Sequence, residues 1–87
     1  MLKSRKNPIE IVGRIQVLER LKSSHYGNPR YSFVVHYLDG TTSDLIKTAP
    51  NCSIGYSITN YDGVLCNLEL FYYRGQLSVN RIGKVKL

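Results

Sequence analysis

The sequence predicts a mainly β domain of five strands, with one short helix between the third and the fourth. Three observations carry this. Most of the chain alternates apolar and polar residues with a period of two, as half-buried strands do. Turn-forming groups such as Gly27-Asn28-Pro29, Asp39-Gly40 and Arg74-Gly75 separate those stretches. Only one segment, 51–61, places its apolar residues at helical spacing.

Residues 1–8 carry Lys3, Arg5 and Lys6 and end in Pro8, which discourages helix before it, so they are expected to form a flexible basic arm ahead of a single domain, 9–87. From Ile9 to Leu21 the odd positions Ile9, Ile11, Ile15, Val17 and Leu21 form an apolar face, while Glu10, Arg14, Gln16 and Arg20 face outward. Gly13 marks a bulge or bend that lets this long strand serve two sheets. The second strand, about Arg30 to Leu38, puts Tyr31, Phe33, Val35 and Tyr37 on its inner face and Arg30, Ser32, Val34 and His36 on the other. Asp39-Gly40 is a strong hairpin signal and leads into a third strand expected at about Thr41 to Thr48. Ile54, Ile58 and Tyr61 then predict a helix of two to three turns, opened by Asn51 or Ser53 and closed by Asp62-Gly63. Gly55, Ser57 and Thr59 are mediocre helix formers, so tertiary contacts must hold it. Val64 to Tyr73 and Gln76 to Leu87 alternate again around the Arg74-Gly75 turn.

Composition narrows the function. Twelve Lys and Arg against six Asp and Glu give a net charge of +6, a field that attracts polyanions, nucleic acid first and an acidic membrane surface next. Seven Tyr and no Trp add flat rings that either fill a small core or stack on bases. Cys52 and Cys66 lack metal-ligand spacing and read as reduced fillers of a cytoplasmic protein. The first residues lack the apolar core of a signal peptide, and no apolar run is long enough to span a bilayer. No membrane partner, cofactor, metal or small-molecule substrate is therefore expected. Nor is an enzyme: Ser23, Ser24 and His25 have no oriented acid or oxyanion loop beside them. The six acidic residues are scattered, and no Gly-x-x-x-x-Gly-Lys loop occurs.

The order long bent strand, loop, strand, hairpin, strand, helix, hairpin is that of the OB-fold, a five-stranded Greek-key barrel; an SH3-like barrel is the rival. OB-folds bind oligonucleotides across strands two and three, between the loop joining strands one and two and the loop joining strands four and five. Here those loops are Lys22 to Pro29 and Tyr73 to Gln76, and both are basic and aromatic. The expected function is sequence-nonspecific binding of single-stranded DNA or RNA. Arg14, Lys22, Arg30, Lys47, Arg74 and Arg81 would neutralise phosphates, Tyr26, Tyr73 and Tyr31 would stack on bases, and His25 and His36 would add phosphate contacts. The alternative from a different class is a β-barrel interaction module, a phage accessory or inhibitor protein that binds a host protein.

Gly27-Asn28-Pro29-Arg30-Tyr31-Ser32-Phe33 resembles the glycine-x-proline-tyrosine-serine segment of filamentous-phage single-stranded DNA-binding proteins, with Arg30 inserted. These are small OB-fold proteins that work as dimers. The resemblance implies a phage or mobile-element origin, a location in the host cytoplasm, homodimers and cooperative coating of DNA.

Overall fold

The computed structural model describes residues 9–86; the basic segment 1–8 and Leu87 lie outside the described residues. Five strands, β1 (Ile9–Leu21), β2 (Arg30–Tyr37), β3 (Ile46–Thr48), β4 (Leu65–Tyr73) and β5 (Gln76–Lys84), make the protein mainly β. They pair in the order β1-β2-β3-β5-β4, and β4 returns to β1, so the ladder closes into a barrel. All pairs are antiparallel except β3 with β5.

Closure depends on β1 reaching two neighbours. Its first half pairs with β4 and its second with β2, and Gly13 sits in both ladders, opposite Tyr37 and opposite Cys66. A Cβ there would stand 2.5 Å from the His36 carbonyl oxygen and from Val35 Cγ1. That is below any van der Waals contact, so the crossing requires glycine. The bulge lies elsewhere, between Val17 and Glu19. One extra residue, Leu18, reverses the alternation beyond it. Glu19 consequently comes opposite Ser32 on the outer face, and Arg20, expected outward, comes opposite Tyr31.

Inside the barrel, Ile15, Phe33, Val35, Ile46, Ile58, Cys66, Leu68, Leu70 and Val79 form one buried cluster. Tyr31 and Tyr37 are half-buried against it. The inner face of β2 is therefore the aromatic one. Burial pushes the Cys66 thiol up, with Lys84 opposing, and both Cys52 and Cys66 are free thiols. No helix among the described residues is long and apolar enough to cross a membrane.

Two expected elements differ. The helix of two to three turns is replaced by two consecutive 3₁₀ turns, Ser53–Tyr56 and Ile58–Tyr61. Ser57, with φ −122° and ψ −7°, breaks the run between them, and no side chain caps either start. Glycine, serine and β-branched residues carry too little propensity to bridge that break. The third strand is three residues long instead of eight. Ahead of it the polar run binds backbone through side chains: Thr41 N–H donates to Asp39 Oδ1 (2.9 Å), and Val35 N–H donates to Ser43 Oγ (2.9 Å). Beside them the backbone pairing is reduced to a single antiparallel bridge, His36–Thr42.

Candidate nucleic-acid interface

Residues directly opposite one another in a sheet share a face, so the registers define what lies beside what. One outward row runs Glu19–Ser32–Lys47–Ser78–Phe71, from β1 through β2, β3 and β5 to β4. Toward the β1–β2 loop the next outward pair is Leu21–Arg30. In the other direction come Gln16–Val34 and Tyr73–Gln76, ending at the β4–β5 turn. Gln76 Nε2 donates to the Leu45 carbonyl at 3.2 Å, tying that end of β5 to the approach to β3. The β1–β2 loop and the β4–β5 turn thus lie toward opposite ends of these rows, offset along the strand direction by the four residues from Arg30 to Val34, about 13 Å.

The first rim is built as a rigid loop. Ser24 organises it: its hydroxyl accepts from the Tyr26 and Asn28 amides, both at 3.2 Å, and its carbonyl accepts from Gly27 at 2.9 Å. Asn28 Nδ2 donates to the Pro50 carbonyl at 3.0 Å, and Tyr56 Oη donates to the Gly27 carbonyl at 3.4 Å. Gly55 packs so closely on Pro29 that a Cβ would fall 1.8 Å from its carbonyl oxygen. Held this way, Tyr26 and Tyr56 are 69% and 65% exposed. Rings that stay in water on a braced loop are available for stacking. His25 is exposed and meets Tyr26 edge-on at 5.5 Å, and Lys22 is exposed at the loop's start.

At the centre, Lys47 lies between Ser32 and Ser78, two buried serines that give the face a low floor. Arg30 is half-buried, with Nε donating to the Thr48 carbonyl at 2.9 Å, which anchors the guanidinium beside β3. On the second rim Arg74 lies over the Tyr73 ring, 5.4 Å from its centroid, and Tyr73 meets Phe71 edge-on at 6.4 Å. Arg74 (φ 52°) and Gly75 (φ 80°) are both left-handed, as a two-residue hairpin turn demands. Among the described residues the Lys/Arg–carboxylate contact is Arg81–Glu69, at 3.9 Å, so Lys22, Arg30, Lys47 and Arg74 stand without a carboxylate partner.

The remaining predicted residues are placed differently. Tyr31 packs on the core, and Arg20 covers its ring at 5.6 Å. His36 is committed on both ring nitrogens, Nε2 to Gln16 Oε1 at 2.6 Å and Nδ1 to Thr42 Oγ1 at 3.3 Å. Arg14 is exposed and donates through Nη1 to the Gly63 carbonyl at 3.1 Å, beyond the Gln16–Val34 row. Arg81 lines a concavity of about 680 Å³ on β1, β4 and β5 that also includes Glu10, Val12, Asn67, Glu69 and Gly83. Glu10 and Glu69 lie directly opposite each other there, so its field opposes phosphate. The registers therefore put Arg30, Lys47 and Tyr73 on the outer surface of the sheet, with Lys22, His25 and Tyr26 in the β1–β2 loop toward one end of the strands and Arg74 in the β4–β5 turn toward the other; Tyr31 lies on the inner side, and Arg14, His36 and Arg81 lie away from these residues.

Tyr56 and Phe71 belong to this surface and were not singled out from sequence. Phe71 had a readable signal, since it alternates with the buried Leu68 and Leu70 and so points outward. Tyr56 had none, because its position depends on Gly55 meeting Pro29 across the fold.

The chain matches no protein-family model, no curated protein and no solved structure.

Proposed function

We propose that this is an OB-fold-type barrel that binds single-stranded nucleic acid with little base specificity. Support for the fold type comes from the strand order β1-β2-β3-β5-β4 with a parallel β3–β5 pair. The observation that carries the function is the row through Lys47: it lies between a basic, tyrosine-bearing loop toward one end of the strands and a basic, tyrosine-bearing turn toward the other, and among the described residues no carboxylate is paired with Lys22, Arg30, Lys47 or Arg74. Such a surface offers charge to a phosphate backbone and rings to unpaired bases. A duplex hides its bases in the stack and gains only the charge. Phage origin, dimers and cooperative coating belong to the same proposal through the resemblance of residues 27–33.

The test is fluorescence anisotropy with labelled oligo-dT and with duplex DNA at two salt concentrations. Preference for the single strand, weakening steeply with salt, is expected. Tyr26→Ala with Tyr73→Ala should lower affinity by at least one lost stack, about 1 to 3 kcal/mol, while circular dichroism stays native. Absence of binding to either probe at low salt, or equal affinity for duplex, overturns the reading and leaves the protein-interaction alternative.

A further inference from the structure

Resting on that functional reading, we propose that at the β4–β5 rim the nucleobase stacks on the guanidinium plane of Arg74, and that Tyr73 serves as the backing of that plane instead of as the platform itself. Tyr73 is half-buried, its ring covered by Arg74 on one side at 5.4 Å and met by the edge of Phe71 at 6.4 Å. Arg74 is exposed where Tyr73 is half-buried, so the side chain over the ring is the more outward of the two. Guanidinium is planar, weakly hydrated and stacks on π-faces; a base laid on it completes a base–Arg74–Tyr73 sandwich in which the cation interacts with a ring on each side.

The backbone gives this side chain a fixed station. Arg74 occupies a left-handed position, φ 52°, in a turn closed by the Tyr73–Gln76 pair, where glycine, asparagine or aspartate fit with least strain. A long cation there projects from a two-residue turn with little backbone freedom. The ring beneath it restricts the side chain further. A phosphate contact would need only the charge, which lysine supplies equally; a stacked base needs the plane, which lysine lacks.

The experiment compares wild type and Arg74→Lys on two labelled probes of equal length, oligo-dT and the same backbone carrying abasic residues, each over a salt series. The variant keeps the turn geometry, and thermal unfolding checks that it folds. The expected result is that Arg74→Lys weakens oligo-dT binding about tenfold, within the range of one stacked base, while abasic-probe affinity and the salt slope stay at wild-type values. Equal weakening of Arg74→Lys on both probes, or none on either, overturns the assignment in favour of a plain charge contact. If wild type binds neither probe at low salt, the functional reading itself fails; if it binds but Arg74→Lys is indistinguishable from it, only the stacking assignment does.

Discussion

Phe33 shows how one residue carries the fold without touching the interface. It has no exposed surface, lies opposite Val17 and Ile46, and is followed by Val34 on the outer face. Truncation to alanine removes most of the largest fully buried side chain and is expected to cost about 3 to 5 kcal/mol, a large part of a small domain's stability. Urea denaturation followed by circular dichroism measures it; a loss below 1 kcal/mol would mean that the barrel centre lies elsewhere. Asp39 acts at the same scale through protonation. The Thr41 hydroxyl, and then the Thr41 amide, hold its carboxyl below the ordinary carboxylate range. A group whose pKa is lower folded than unfolded stabilises the fold above its unfolded pKa and loses that contribution as pH falls toward the folded value. Asp39→Asn should therefore flatten the acid limb of a plot of stability against pH and leave the alkaline limb alone. An acid limb identical to wild type would show that Asp39 does not couple to folding.

At the scale of elements, the β1–β2 loop and the first 3₁₀ turn behave as one unit, because Gly55 has backbone against it where any side chain would go. Gly55→Ala forces a Cβ to within 1.8 Å of the Pro29 carbonyl unless the loop moves. The expected outcome is destabilisation of about 1 to 3 kcal/mol, together with faster hydrogen exchange at the Gly27 and Asn28 amides and weaker oligo-dT binding. Native exchange rates at those amides would refute the bracing role. This unit also shows what sequence can and cannot convey. The alternation of Ile9 to Leu21, and the turns at Asp39-Gly40 and Arg74-Gly75, are local signals, and β1, β2, β4 and β5 lie close to where they predict, whereas the strand expected after Asp39-Gly40 keeps only its last three residues. The single helix was wrong because the spacing of Ile54, Ile58 and Tyr61 is shared by two short turns whose side chains pack on the same core. The extra residue at Leu18 left no mark in the pattern either, since Glu19 and Arg20 are both exposed and charge alone does not reveal which face a residue has changed to.

Across the whole molecule, charge is distributed unevenly, and this makes the site testable without knowing the biological ligand. Lys22, Arg30, Lys47 and Arg74 surround one face without carboxylate partners among the described residues, whereas Arg81 stands beside Glu69, itself opposite Glu10. Each phosphate neutralised on a single strand releases condensed counterions and contributes about −0.7 to the slope of log affinity against log salt. Four cations on the face then give a slope of about −3 for oligo-dT. Lys47→Ala or Arg30→Ala should each reduce it by about 0.7 and weaken binding to every single-stranded sequence alike. Arg81→Ala removes the same formal charge from the domain but from a site where two carboxylates already offset it, so the slope is expected to stay within error of wild type. If long-range attraction by the net charge alone drove binding, the three variants would lose equally, and the face defined by the Lys47 row would have no special standing. Measured side by side over one salt range, they separate a built interface from a generally basic protein.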